Sequence, residues 1–302
     1  MPAYQTGAAT DPADLLSDLR TFAAANGWTI RTPVSGYVFE KGTVFCGVNA
    51  DADSLDSRGC VSYDAGLAWN AQPNNSGVTH TCNLGAGPFT AYHFYSEVED
   101  GKDFLGVVVE VSAGIFRHWI LCDLIKFGAW TGGGYSDSVF HDTTADDANR
   151  TNSTNHRWIC DTEYDGTARG QFHCDNDGET DHFVLIAGSD SVAASVDYGT
   201  GVVRGDGKWI GMIGTAYQRW NLRTPLFPLE LFVNRASSLR SIAGRVPAMR
   251  YCSLRNYVAG EILSIGGDDW QLWPIVSRTD TSGSSSSTVQ SSGHYGYAYK
   301  KP

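Results

Sequence analysis

Ala91-Tyr92-His93-Phe94-Tyr95-Ser96-Glu97-Val98, Phe104-Leu105-Gly106-Val107-Val108-Val109-Glu110-Val111 and Ile115-Phe116-Arg117-His118-Trp119-Ile120-Leu121 are three β-rich runs. Two tight turns separate them, Glu99-Asp100-Gly101-Lys102 and Ser112-Ala113-Gly114. Strand-favouring residues joined by such short Gly-containing links predict an antiparallel meander. The second run is apolar enough to lie in the interior of a sheet.

Working outward toward the start, one helix is predicted over 11–26. Asp11 is a good N-cap, Pro12 fits the first helical position, and Asp14 favours the positive end of the dipole. Leu15, Leu16, Leu19, Phe22 and Ala23 share one helical face. Asn26-Gly27 closes the helix, and Trp28 and Ile30 open extended structure, so the helix is expected to lie on a sheet. Gly36 to Val48 reads as a hairpin about Lys41-Gly42. Asn49 to Gly59 reads as a polar stretch, and Leu67 to Gly77 as an exposed loop rich in Asn, Gln, Pro and Gly.

Toward the end, Gly128 to Gly134 reads as a glycine-rich turn flanked by packed aromatics. Ser136 to Asp181 reads as a variable loop region, polar and acidic over Ser136–Asn155 and acidic again over Asp175–Asp181. Strands are expected at Phe183–Ala187 and Lys208–Ile213, with mixed character from Pro225-Leu226-Phe227-Pro228 onward. Glu261 to Ile275 reads as a hairpin with a Gly-Asp turn, Thr279 to Ser292 as a Ser/Gly/Thr-rich loop, and Tyr295 to Tyr299 as a final strand before Lys300-Lys301. The fold class is therefore α+β, mainly β: antiparallel sheets or a sandwich, with an N-terminal helix and long loops. No fixed-period repeat or dividing linker occurs, so 1–302 reads as one β-rich domain ending in the 261–302 hairpin and strand.

Composition agrees. Of 302 residues, 34 are Gly and only 3 are Met, and the charged share of 18% is low, which suits strands and turns better than a helical bundle. The net charge of -11 disfavours direct nucleic-acid binding. No apolar run approaches the roughly 20 residues of a membrane span. The first residues lack a basic region followed by an apolar stretch, so no secretory signal is expected. Cysteines stand at 46, 60, 82, 122, 160, 174 and 252 with no Cys-x-x-Cys pair, which predicts reduced, buried thiols.

The familiar chemical motifs fit poorly. Trp130-Thr131-Gly132-Gly133-Gly134-Tyr135 lacks the Gly-Lys-Ser/Thr of a phosphate loop. Asp175-Asn176-Asp177-Gly178-Glu179-Thr180-Asp181 lacks the ligands that complete an EF-hand calcium loop. His156, Cys160, His173 and Cys174 match no standard zinc spacing. No Gly-x-Ser-x-Gly elbow occurs. No catalytic residue, cofactor or metal site is therefore assigned. Aromatics in Gly/Asn/Asp-rich surroundings, Trp69, Trp130, Tyr135 and Trp158, are candidates for a glycan- or partner-binding surface. Loop carboxylates Asp142, Asp161 and Glu163 are the candidates for glycan hydrolysis.

Several stretches resemble a family of tailed-phage virion structural proteins of the tail, baseplate or neck. They are Thr6-Gly7-Ala8-Ala9-Thr10-Asp11-Pro12 with Asp14-Leu15-Leu16 and Asn26-Gly27-Trp28-Thr29; Gly87-Pro88-Phe89-Thr90-Ala91-Tyr92-His93-Phe94; and Val108 to His118. Lys126-Phe127-Gly128-Ala129-Trp130-Thr131-Gly132-Gly133 and Gly266-Gly267-Asp268-Asp269-Trp270 through Pro274 to Ser292–Lys300 complete the set. The resemblance implies a non-enzymatic virion component assembled in the bacterial host cytoplasm, partnered by other virion proteins and by copies of itself in a ring. The alternatives are a host-surface glycan-binding module of the tail and a glycan hydrolase.

Overall fold

Alternation within Phe104–Val109 decides the architecture. Leu105, Val107 and Val109 enter one hydrophobic core, and Phe104 and Val108 enter another. A strand that is apolar on both faces must be covered on both faces. The structure, a computed structural model, describes residues 2–77, 79–141, 156–157, 159, 171–174, 182–185, 224–235, 239–278 and 295–302.

In chain order the elements begin with β1 (Ala3–Gly7), helix α1 (Pro12–Ala25), β2 (Thr29–Arg31), β3 (Tyr37–Lys41), β4 (Val44–Ala50), β5 (Ser54–Cys60) and β6 (His80–Asn83). The predicted meander follows as β7 (Ala91–Glu99), β8 (Lys102–Ser112) and β9 (Ile115–Asp123). Next are β10 (Ile125–Lys126), β11 (Gly132–Ser138), β12 (Phe140–His141), β13 (His156–Arg157), β14 (Gln171–Cys174) and β15 (His182–Leu185). Last come β16 (Phe227–Arg235), β17 (Leu239–Ser253), β18 (Ile262–Ile265), β19 (Asp268–Pro274) and β20 (Tyr295–Lys301).

The central sheet has the order β1-β7-β8-β9-β11-β14-β15. One of its faces packs on α1 and on the sheet β2-β3-β4-β5-β6. The other packs on the sheet β10-β17-β20-β19-β18, to which β16 adds through β17. β12 and β13 form a separate ribbon, and the pairings are antiparallel. The mainly-β α+β class is thus realised as three layers with the meander in the middle.

The helix forms as its sequence prescribes. Asp11 accepts the Asp14 amide at 2.9 Å, and Asn26 and Gly27 (φ 83) close the other end. Leu15, Leu16, Leu19, Phe22 and Ala23 are buried against the sheets. In the β7–β8 turn Asp100 and Gly101 both have positive φ, 52 and 73, the pair a two-residue hairpin needs.

Several expectations are corrected. The polar stretch 49–59 contains β5, paired along its length with β4. Gly132–Ser138, expected as a turn and the start of a variable loop, is a fully buried strand beside β9. The 225–253 segment, of mixed character in sequence, is the β16–β17 hairpin, and β1 adds to the edge of β7. The β18–β19 turn is Gly266-Gly267 rather than Gly-Asp, since Ile265 pairs with Asp268. The expected strand at Lys208–Ile213 and the loop Thr279–Ser292 lie outside the described residues. The five cysteines whose side chains are described are buried and outside any disulfide, and burial raises Cys46 and Cys82 to about 12.

Candidate functional site

A hydroxyl, an imidazole and a carboxylate meet where β6 passes β11. Ser138 Oγ lies 3.0 Å from His80 Nε2, and Asp137 Oδ1 lies 3.8 Å from the same nitrogen. Asp137 also accepts from Tyr135 OH at 2.5 Å and from the Ser138 amide at 2.8 Å. Ser138 and Asp137 are 0% exposed and His80 is 3% exposed. In a nucleophilic triad the acid holds the imidazole nitrogen that does not face the nucleophile. Here the acid and the hydroxyl crowd one nitrogen, and the acid is engaged by Tyr135. The arrangement braces β11 against β6; it does not pre-orient an attacking hydroxyl. Trp119 Nε1 donates to Ser57 Oγ at 3.2 Å in the same layer.

A second set of buried polar groups joins the central sheet to the β10–β20 sheet. His118 shares its face of β9 with Phe116 and Ile120, so strand alternation buries it. Its Nε2 is 2.8 Å from the Pro274 carbonyl, which can only accept. Nε2 therefore carries the proton, and Nδ1 accepts from Tyr299 OH at 2.9 Å. Burial lowers this imidazole to about 3. Tyr95 OH donates to Gln271 Oε1 at 2.7 Å and accepts from Trp273 Nε1 at 2.8 Å. Burial pushes the Tyr95 and Tyr299 phenols well above their ordinary range. His93 lies 2.8 Å from Tyr4 OH and packs on Trp273, with ring centroids 4.3 Å apart. Burial, then Lys301, lowers it to about 4. These groups hold neighbouring elements together in defined tautomers and rotamers.

The aromatic candidates separate. Trp69 and Tyr135 were expected on the surface, and both are buried. Trp69 is a wedge: a Cβ on Gly36 would meet its ring at 2.6 Å, and one on Gly47 would meet its carbonyl oxygen at 2.0 Å. Around it the Leu67–Gly77 segment, expected as an exposed loop, is tied down. Gln72 Nε2 donates to the Asp64 and Ala68 carbonyls, each at 3.0 Å, and its Oε1 accepts the Asp64 amide at 2.7 Å. Arg58 reaches the Asn70 carbonyl at 2.8 Å and Thr79 Oγ1 at 2.9 Å. Tyr135 belongs to the core between the central and β10–β20 sheets.

Trp130 is half-buried. Its indole donates to the Ala243 carbonyl at 3.2 Å, and Lys126 Nζ stands 5.0 Å from its ring centroid. Trp158, Asp142, Asp161 and Glu163 lie outside the residues described, as does the Asp175–Asp181 turn. His156, His173 and Cys174 fall on β13 and β14, and Cys160 lies outside the described residues. Among the described residues, no group of three or more His, Cys, Asp or Glu is placed to hold a metal ion. No described helix is long and apolar enough to cross a membrane.

One cluster escaped sequence reading altogether. Glu99, at the end of β7, accepts the Ala248 amide at 2.6 Å and pairs with Arg250. Its partners are about 150 residues away in the chain, and no local pattern announces them. No protein-family model matches this sequence, and no curated protein matches it either.

Proposed function

We infer that this chain is a non-enzymatic structural component of a tailed-phage particle, in the tail, baseplate or neck. In this reading it assembles with copies of itself in a ring and with other virion proteins. The supporting observation is where the phage-like stretches fall. Tyr92 and Phe94 pack on α1, His118 ties β9 to β19 and β20, Trp273 and Tyr299 line the same interface, and Lys126 holds its loop through the Trp130 and Gly132 carbonyls. The stretches are spent on holding layers together, as expected of a part that transmits force. A sheet clamped on both faces resists shear, because sliding either neighbour breaks buried hydrogen bonds as well as apolar contacts. Among the described residues β1 and β18 are the end strands of their sheets, where a neighbouring copy can add.

The test is a mass measurement on the purified protein together with a cryo-EM map of the particle. A discrete multimer, and density for this chain repeated around the tail axis, are expected. A monomer at all concentrations that is also absent from purified particles overturns the reading.

A further inference from the structure

β17 changes partners halfway along. Gly244 and Arg245 pair with β10, whereas Met249 to Ser253 pair with β20. Between them the ladder with β16 is broken. Glu230 pairs with Arg245 and Pro228 with Arg250, so Leu229 alone stands opposite Val246, Pro247, Ala248 and Met249. Pro247 has no amide proton to give to a ladder. Ala248 has φ 51 and is fully buried. A residue with a β-carbon avoids this left-handed conformation unless its surroundings impose it.

Ala248 lies in the core between the central and β10–β20 sheets, and its amide is held there by one carboxylate. Glu99 Oε2 accepts the Ala248 amide at 2.6 Å, and Oε1 accepts from Arg250 Nη2. The same Oε1 lies 3.5 Å from Arg245 Nη2, which also reaches Asp100 Oδ2 at 2.8 Å. Glu99 therefore grips the residue before the break, the strained residue within it and the residue after it. The gripping group sits at the Asp100-Gly101 turn, whose two positive φ values fix its direction.

We propose that Val246–Ala248 is a hinge in β17 and that Glu99 is its lock. When the lock is closed, 230–235 and 239–245 lie against the central sheet, with Leu231 and Ala243 in its core. When it opens, Ala248 relaxes to an extended conformation, β16 bends at Leu229, and 230–235 with 239–245 swing away, while 227–228 stay paired with 250–251 and 249–253 stay on β20.

The test is hydrogen exchange by mass spectrometry on the full chain, comparing wild type with Glu99→Ala, Glu99→Gln and Glu99→Ala/Ala248→Gly. Glu99→Ala is expected to speed exchange over 230–235 and 239–245 by about tenfold or more, with α1 and β20 changed by less than about twofold. Gln keeps an acceptor for the Ala248 amide and gives an intermediate rate. Glycine adopts the left-handed bend without strain, so the double variant recovers protection to within about threefold of wild type. Unchanged exchange in Glu99→Ala, an equal rise over the whole chain, or a double variant as fast as Glu99→Ala overturns the proposal. If Glu99→Ala does not fold, Glu99→Gln with and without Ala248→Gly makes the same comparison.

Discussion

At the residue scale, His118 shows how a titratable group serves as a fixed tie. Its two nitrogens are spent on Pro274 and Tyr299, and its burial leaves no room for a second proton. In the folded chain His93 and His118 lie below the ordinary 6.5, at about 4 and about 3. The unfolded chain therefore takes up protons at a pH where the folded chain still refuses them. Their contribution to stability is fully present above pH 6.5 and is lost as pH falls toward those folded values. Burial raises the Glu97 and Asp56 carboxyls, which act in the opposite sense. The urea midpoint should therefore drop between pH 6.5 and about 5. His118→Gln, which can still donate to Pro274 and accept from Tyr299, should shallow that drop. His118→Ala should cost about 2–4 kcal/mol at neutral pH, from a cavity and two stranded polar groups.

At the element scale, caps and close approaches decide what can change. Asp11→Ala removes the N-cap acceptor of α1 and should cost about 1 kcal/mol, read from urea unfolding. Gly47→Ala would drive a β-carbon to 2.0 Å from the Trp69 carbonyl oxygen. It should cost about 2 kcal/mol or more and make Leu67–Gly77 the first site of proteolytic cleavage. The helix, the 36–48 hairpin and the meander were legible in the sequence because period, cap and turn residues all agreed there. β5 was hidden because one face carries Ser54, Asp56 and Arg58, and the other carries Ser57 beside Leu55. β16 and β17 were hidden because Pro228, Gly244 and Pro247 read as breakers. In the fold these residues sit at an edge strand, at a close approach to Ile125 and in a bulge. Trp69 misled for a related reason: Gly and Asn around it signal a loop, and nothing local says that the loop turns its tryptophan inward.

At the scale of the whole molecule, two cores share one sheet. Val107 and Val108 are neighbours in the chain, yet one faces the α1 side and the other the β20 side. Val107→Ala and Val108→Ala should each cost about 1–3 kcal/mol. Because they loosen different cores, hydrogen exchange should rise mainly in α1 and β4 for the first and mainly in β17 and β20 for the second. A uniform rise for both would mean that the layers open as a single unit.

Burial of the meander on both faces also sets an order of events during synthesis. The ribosome releases 91–123 after α1 and β2–β6, the described elements that cover its first face. The strands that cover its second face come later, from β16 to β20. At ordinary elongation rates that leaves a bare apolar wall for roughly 10–40 s. Val108, Phe116 and Ile120 are on that wall. A nascent chain arrested after residue 123 would thus be a strong client for holdase chaperones, and a chain that includes β16 to β20 would not.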